Sequence, residues 1–331
     1  MTFAKGTASF EDQVIIGAEP EDITESQEIK RFLTEVSPKT DPIDFVTNQN
    51  LVDRKSWDPK CAGILLFNDN PQALMPRKCS VKISLYETKE ELERDFLRDQ
   101  YTIEGPLYEL IHKSVSKITE IMSSISIWTN EGLKKVEYPP EAIWEIVVNA
   151  IIHRDYSISD DVQILIYSNR IEVISPGKLP GYVTVDNILD ARYSRNSKIV
   201  RILNKYKNPP NKDMGEGLNT AFNKMKEWRL KNPIISEVGN YVKVILPHNT
   251  LARPEELIVE YLEDNEFITN EIARDLTGVK SGDMIKRYFY KLRDEGLIER
   301  LPGTRGRASA WRKKGAEKTS YNSVLPKSER I

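Results

Sequence analysis

Cysteine is almost absent from this chain, which has two cysteines in 331 residues. Cys61 and Cys79 form no metal-spaced pair, and two thiols cannot build the disulfide framework of a small secreted domain. Long apolar runs are lacking too, so no transmembrane helix is expected, and the N-terminal MTFAKGTASFEDQ lacks the apolar stretch of a signal peptide. These absences predict a cytoplasmic protein with no membrane partner.

A surplus of charge of either sign is also lacking. Lys and Arg number 48 and Asp and Glu number 50, which gives a formal net charge of -2. The chain as a whole therefore lacks the basic character of many nucleic-acid-binding proteins. A local basic patch could still bind a phosphate backbone, because binding follows the local field and not the total charge.

Two enzyme classes are excluded by motifs that are missing. The chain lacks the G-x-x-x-x-G-K-[ST] phosphate loop, which argues against a P-loop enzyme such as a helicase motor. The run H-R-D at 153–155 resembles the protein-kinase catalytic loop, but no D-F-G follows it. Any nucleotide chemistry must therefore use a different kind of site.

Three folded regions and a tail are predicted, with no internal repeat. They are an N-terminal α+β region at 1–135, an α/β region at 136–250, a helical region with a basic strand pair at 253–314, and a polar, disordered tail at 315–331. The elements predicted in the first region are helices at 25–36 and 106–123, a buried strand at 62–67 and an alternating strand at 81–86. Those predicted in the second are a helix from Pro140, a hairpin at 162–174, helices at 197–205 and 218–229, and a strand at 241–246. The fold class is α+β, with the second region as a two-layer α/β sandwich.

The helix from Pro140 is apolar almost all round, which predicts that it is buried. Glu145, Asn149 and His153 are four residues apart and therefore stack on one face. Burying them is costly unless they meet partners, and a metal-bound nucleotide would supply partners. A carboxylate can orient or deprotonate a water, and an amide oxygen suits Mg²⁺. A helix edge that meets solvent or backbone explains the pattern equally well, and bracing of the next turn explains His153 better than catalysis does.

Two glycines precede the next predicted helix. Gly215 and Gly217 flank Glu216 directly before Leu218. Glycine lets the backbone approach a phosphate closely, and the free N–H groups of a helix start can bind the anion. The loop at 207–214 would then act as a lid over the nucleotide. An ordinary surface connection is the alternative.

In combination, E-x-x-x-N-A at 145–150, the P-G turn at 176–177 and G-E-G at 215–217 resemble the GHKL, or Bergerat-fold, ATPases. That superfamily includes gyrase, heat-shock chaperones, histidine kinases and mismatch-repair ATPases. The segments VNAIIHRDYS, RIEVISPGKLPG, RNSKIV and GEGLNTAF are similar to the divergent ATP-binding domain of Schlafen/Alba-associated bacterial transcriptional regulators, which often carry a helicase-related label. The resemblance extends over about 62–248.

The resemblance implies roles for individual residues in a site for ATP and Mg²⁺. Asn149 would coordinate Mg²⁺, and Glu145 would be the catalytic or water-positioning carboxylate. The remaining residues of the implied cofactor site are Gly215 and Gly217 at the phosphates, Gly177 at the adenine pocket, His153 on the helix stripe, and Arg195 and Asn196 near the pocket.

The sequence departs from the family pattern in two places. The stretch S-P-G-K-L at 175–179 stands where the family has D-x-G-x-G, whose Asp reads the adenine amino group, so adenine specificity stays open. The related regulators begin with an Alba-like DNA-binding domain, whereas FAKGTASFED looks like the trailing edge of that domain. DNA contact would then depend on the C-terminal region.

Helices predicted at 255–262, 270–276 and 282–294, followed by a strand from Leu297, have the order of a winged helix-turn-helix. The third helix and the wing are rich in basic residues, as expected for phosphate contact. The residues predicted to contact DNA are Lys286, Arg287 and Tyr290 in a groove, and Arg305 and Arg307 at phosphates or the minor groove. A winged helix that binds protein is the alternative.

The sequence therefore predicts an ATP-binding and DNA-binding transcriptional regulator. ATP and Mg²⁺ would shift the population of a lid or dimer state and so reposition the winged helix on double-stranded DNA. A homodimer is implied by the family alone. Two alternatives stay open: a slow ATPase in defence or nucleic-acid handling, and a degenerate scaffold that binds no nucleotide.

Overall fold

The computed structural model describes residues 10–86, 97–129, 132–191, 193–211, 217–247, 254–277, 279, 281–304 and 309–315. The chain forms two compact units, Met1–Thr250 and Leu251–Ile331. Both units mix helices and strands, consistent with the predicted α+β class. Beyond Gly315, the tail that the sequence predicts to be disordered lies outside the described residues.

A six-stranded mixed sheet organises the first unit. The strands of this unit are β1 (Val81–Tyr86), β2 (Leu97–Ile103), β3 (Ser126–Thr129), β4 (Gly132–Lys135), β5 (Val162–Ile166), β6 (Arg170–Pro176), β7 (Ile234–Val238) and β8 (Tyr241–Pro247). The sheet order is β2-β1-β5-β6-β8-β7, and β3 and β4 form a separate pair. β1 and β5 run parallel, whereas the other neighbours in the sheet run antiparallel. The parallel pair joins strands from both sides of the predicted 135/136 boundary, so the two regions share one sheet.

The described part of the first unit also contains helices. They are α1 (Glu21–Thr24), α2 (Gln27–Val36), α3 (Pro42–Asn48), α4 (Cys61–Phe67), α5 (Pro71–Leu74), α6 (Leu107–Ser124), α7 (Pro140–Ile152), α8 (Ser197–Leu203) and α9 (Gly217–Glu227). α6 and α7 pack on the sheet, and α9 packs on α7. In the part of the chain that the structure describes, no helix is long and apolar enough to cross a membrane.

Local sequence signals explain the elements at the centre of the unit. Pro140 is the first residue of α7, where the missing N–H has no partner to lose. A turn at 168–169 closes the β5–β6 hairpin, and Tyr167 N donates to Arg170 O at 2.8 Å. The predictions of this helix, this hairpin and the alternating strand β1 are confirmed.

The prediction of a strand at 62–67 is wrong, because these residues belong to α4. All seven residues of α4 are buried, and a short apolar run has the same pattern in a buried helix as in a buried strand. The packing depends on Gly63, where a Cβ atom would lie 2.6 Å from Ile23 Cδ1 and 2.9 Å from Leu51 O. Neighbouring segments enclose this helix, and periodicity alone cannot reveal that enclosure.

The start of the described chain caps a helix that lies much further along the sequence. Glu11 is 2% exposed and accepts hydrogen bonds from the backbone N–H groups of Lys198 and Ile199 at 3.1 Å. These groups belong to the first turn of α8, where N–H groups have no partner inside the helix. Glu11 therefore ties the N-terminal segment to the start of α8.

Replacing Glu11 with Ala should lower the free energy of unfolding by about 1–3 kcal/mol, because buried N–H groups lose their acceptor. Chemical denaturation measures this change. Glu11→Gln keeps an acceptor oxygen without the buried charge, and it should lower the free energy of unfolding far less than Glu11→Ala does. Burial raises the pKa of the Glu11 carboxyl, although the backbone N–H groups of Lys198 and Ile199 lower it. The wild type should therefore lose stability relative to Glu11→Gln as the pH rises through that pKa. Equal losses in the two variants would contradict the capping role.

The second unit has a small core of its own. Its described elements are α10 (Pro254–Asp264), β9 (Ile268–Thr269), α11 (Asn270–Thr277), α12 (Gly282–Asp294), β10 (Ile298–Arg300) and β11 (Ala310–Lys313). The strands form a sheet in the order β10-β11-β9. Phe289 of α12 stacks on Trp311 of β11, with ring centroids 5.3 Å apart. The three helices lie where the sequence predicts them.

Candidate functional site

A cavity of about 860 Å³ lies between the sheet and the helices α7 and α9. Strands β6 and β8 form its floor with Val173, Val242 and Val244. Residues of the segment 177–194 form one wall, and α7 and the start of α9 form another. The cavity thus collects side chains that are far apart in the sequence.

The polar stripe of α7 lines this cavity. Glu145, Asn149 and His153 are all lining residues, although most of α7 is apolar and buried. Asn149 Nδ2 donates to Glu145 O at 2.6 Å, so the amide oxygen Oδ1 is the atom that can bind a cation. His153 is the C-cap of α7, and its backbone N–H donates to Asn149 O at 3.0 Å. The structure therefore brings the three predicted residues to one cavity.

The start of α9 lies directly against this stripe. A Cβ atom at Gly217 would clash with Glu145 Oε2 and would lie 3.6 Å from Asn149 Nδ2. The absence of a side chain at Gly217 lets the first turn of α9, where N–H groups have no acceptor within the helix, approach the carboxylate. Gly215, the other predicted glycine, lies outside the described residues.

Gly177 lies at the end of β6, lines the cavity and has a φ of +108°, a conformation that favours glycine. Its N–H donates to Asn240 O at 2.7 Å. A Cβ atom at this position would lie 2.7 Å from Asp155 Cβ. The position of Gly177, in the P-G turn at 176–177, therefore cannot accommodate a residue that has a Cβ atom.

Arg195 and Asn196 lie behind the cavity wall and do not line the cavity. Arg195 forms an ion pair with Asp155. Asn196 is 1% exposed, and its Nδ2 donates to Ile152 O at 2.8 Å and to Arg154 O at 2.9 Å. Asn196 thus caps the C-terminus of α7, and both residues support the cavity from outside.

Two lining residues that the sequence analysis missed carry buried polar atoms. Ser194 Oγ and Asn211 Oδ1 are shielded from solvent and have no hydrogen-bond partner among the described residues. Such an atom costs about 1–3 kcal/mol when it is buried unsatisfied, so a polar ligand group or a water beside it would be favourable. No motif marks either residue, and Ser194 could have been noticed only because it precedes the predicted Arg195 and Asn196.

The loop at 206–211 is held by side chains from two helices. Trp144 Nε1 of α7 donates to Pro210 O at 2.8 Å. Tyr108 OH of α6 donates to Asn208 O at 3.3 Å. These bonds fix the carbonyl groups immediately before Asn211.

Tyr206 joins the beginning of this loop to α2. Its OH donates to Glu28 Oε1 at 2.5 Å, and its ring stacks on Tyr108 with centroids 4.1 Å apart. Glu28 also accepts a bond from Arg31 Nη2 at 2.7 Å. Burial raises the pKa of Glu28, although the bonds from Arg31 and Tyr206 lower it. Helix α2 therefore holds the beginning of the loop through residues that do not line the cavity.

The charged side chains of the cavity lining are the carboxylates Glu141 and Glu145 and the ammonium group of Lys178. His153 and Tyr193 are further titratable lining residues. Within the described ranges, no group of three or more His, Cys, Asp or Glu side chains could hold a metal ion. The amide oxygen of Asn149 is a type of ligand that Mg²⁺ accepts.

The residues predicted to contact DNA belong to the second unit. Lys286, Arg287 and Tyr290 are exposed on α12. Arg305 and Arg307 lie outside the described residues. Many basic side chains of the second unit form ion pairs with acidic side chains of the same unit. The pairs are Lys286–Asp283, Lys291–Glu255, Arg293–Asp294, Arg312–Glu299 and Lys313–Glu263.

Residues 159–246, about a quarter of the chain, match the protein family described as "Putative ATP-dependent DNA helicase recG C-terminal". The match supports a divergent ATP-binding domain of the HATPase type. It includes Gly177 and Gly217 but begins after α7, so Glu145 and Asn149 lie outside it. No curated protein matches the chain significantly.

A solved structure shares the fold. The chain is similar to the crystal structure of the DIP2311 protein from Corynebacterium diphtheriae, with a TM-score of 0.57 and 17% sequence identity. The similarity covers 95% of this chain and 65% of that one, so this chain spans just under two thirds of the length of its structural relative.

Replacing Trp144 with Phe should loosen the loop at 206–211, because the indole N–H that binds Pro210 O is lost. One such bond contributes about 0.5–1.5 kcal/mol, so amide hydrogen exchange in this loop should become faster by up to about tenfold. Trp228→Phe, at an exposed position after α9, is the matched control and should leave the loop unchanged. Equal exchange in the Trp144 variant and the wild type would show that the indole does not hold the loop.

Proposed function

We propose that the first unit binds a magnesium-bound nucleoside triphosphate and the second unit binds duplex DNA, so that the chain is a nucleotide-responsive DNA-binding regulator. The observation that carries the nucleotide half is the meeting of Glu145, Asn149 and His153 with the glycine start of α9 at one cavity. The family match at 159–246 supports ATP as the nucleotide.

The residues present fit such a ligand. The cavity volume of about 860 Å³ is in the range of small-molecule sites. Valine side chains of β6 and β8 offer an apolar surface for a base. The N–H groups of a helix start such as that at Gly217 suit phosphate oxygens. Ser194 and Asn211 supply buried polar atoms that a sugar or a base could satisfy.

Three polar residues of the cavity then have distinct tasks. Asn149 Oδ1 holds Mg²⁺, which when bound neutralises phosphate charge and orients the phosphates. Glu145, beside the start of α9, orients a water or accepts its proton. Lys178 lines the same cavity and balances part of the phosphate charge. Regulation does not require hydrolysis, because a ligand that prefers one conformation shifts the equilibrium by binding alone.

The DNA half of the proposal is supported by the order of elements in the second unit. Helix, strand, two helices and two strands follow the pattern of a winged helix-turn-helix, in which the last helix enters the major groove. Lys286, Arg287 and Tyr290 on α12 would contact the DNA. The Lys286–Asp283 ion pair has exposed partners and contributes at most about 1 kcal/mol, so a phosphate can replace the carboxylate.

Calorimetric titration of the full chain with ATP and Mg²⁺ tests the nucleotide site. The wild type should bind, and Asn149→Ala should bind at least about tenfold more weakly, because a Mg²⁺ ligand is lost. Asn169→Ala, in the turn at the other end of β6, is the matched control and should bind as the wild type does. An absence of binding by the wild type would favour the scaffold alternative. Phosphate release that Glu145→Ala abolishes would instead favour the slow ATPase.

Duplex DNA binding at several salt concentrations tests the second half. The double variant Lys286→Ala, Arg287→Ala should bind more weakly, and its salt dependence should fall by about 0.9 in log–log slope for each phosphate that the protein no longer neutralises. Lys224→Ala, Lys226→Ala on α9 removes the same charge from the other unit and should have no effect. If the wild type does not bind duplex DNA, or binds it without a dependence on salt, the DNA-binding half of the proposal is contradicted. A regulator also requires ATP and DNA to change each other's affinity by the same factor.

A further inference from the structure

The buried amide oxygen of Asn211 limits what part of a ligand can lie beside it. This atom lines the cavity and has no hydrogen-bond partner in the described ranges. An amide oxygen accepts hydrogen bonds and cannot donate them. The oxygens of an ionised phosphate are acceptors as well, so a phosphate cannot satisfy it. Either a cation, as proposed for Asn149, or a ligand group that carries an N–H or an O–H can do so. The proposed cation lies at Asn149, which leaves an N–H or O–H donor for Asn211.

The backbone next to this acceptor is held by the protein. Pro210 O, immediately before Asn211, accepts a bond from Trp144 Nε1, and Asn208 O accepts a bond from Tyr108 OH. The two prolines at 209–210 restrict the backbone further. Because this backbone is held, less backbone entropy is lost when a ligand binds to Asn211, and the hydrogen bond contributes more fully to affinity.

Ser194 places a second buried polar atom in the lining. Its hydroxyl can donate or accept a bond, so it can serve a base or a sugar. In the same wall it follows the apolar lining residues Ile188, Leu189 and Ala191. A nucleoside combines a flat apolar face with N–H and O–H donors, and it therefore matches this combination of surfaces.

We propose that Asn211 Oδ1 accepts a hydrogen bond from the nucleoside part of the ligand, and thereby determines which nucleoside triphosphate binds. The donor is an exocyclic amino group of the base or a hydroxyl of the sugar. Ser194 Oγ makes an auxiliary contact, while Asn149 and Gly217 meet the phosphate end. This inference rests on the proposed nucleotide function of the cavity.

Titrations of the full chain with four nucleotides in the presence of Mg²⁺ test the assignment. Inosine triphosphate lacks the amino group of ATP, and 2′-deoxyATP and 3′-deoxyATP each lack one sugar hydroxyl. The wild type should bind one of these analogues at least about tenfold more weakly than ATP, because a buried acceptor is left without a partner. Asn211→Ala should bind ATP about as weakly as the wild type binds that analogue, and should no longer distinguish the two.

Two further variants act as controls. Asn208→Ala removes an exposed amide from the same loop and should keep every wild-type affinity. Asn211→Asp keeps an acceptor oxygen and should keep the preference, which separates a lost hydrogen bond from a damaged fold. If Asn211→Ala binds ATP with wild-type affinity, or still prefers ATP over the same analogue, the assignment is overturned while nucleotide binding stands. If the wild type binds none of the four nucleotides, the proposed function fails as well.

Discussion

The burial of one apolar helix that carries three polar side chains is the constraint on which the first unit depends. α7 buries most of its surface, yet Glu145, Asn149 and His153 cannot enter an apolar core without partners. The fold satisfies both demands by leaving a cavity along one face of α7 and bringing the start of α9 to it. The position of α7 is then fixed at both ends of the cavity, by Asn196 at its C-terminus and by Trp144 at the loop.

The first hundred or so residues of the chain matter to this cavity because they hold its surroundings in place. Glu11 supplies the acceptor for the start of α8. Tyr108 and Glu28 hold the loop at 206–211 through its carbonyl groups and through Tyr206. Neither Glu11 nor Glu28 lines the cavity. Both are buried, and hydrogen bonds offset the free-energy cost of burying their carboxylates. The N-terminal region therefore acts as part of the same folded unit and stabilises the cavity at a distance.

Local patterns in the sequence were sufficient for the parts of the site that lie within single elements. The polar stripe of α7 follows from helical periodicity, and the β5–β6 hairpin follows from alternation around a turn. The helical state of α4 depends on enclosure by other segments, which no local pattern encodes. Asn196 and Asn211 show the same limit: one caps a helix that ends 44 residues earlier in the chain, and the other reaches the cavity through a loop held by distant side chains. Such roles arise only from tertiary contacts.

The carboxylates of α7 that line the cavity would attract the cation that is bound to the proposed ligand. Glu141 and Glu145 line the cavity together with Lys178, so a triphosphate alone would meet repulsion that one lysine and the N–H groups of α9 only partly offset. A divalent cation bound to the phosphates reverses this balance, because the carboxylates then face positive charge. The acidic lining thus favours the metal-bound form of a nucleotide over the free form. In the proposed function, this preference would allow a site for an anion to contain two carboxylates, and the neutral oxygen of Asn149 would suit the cation without adding charge that repels the phosphates.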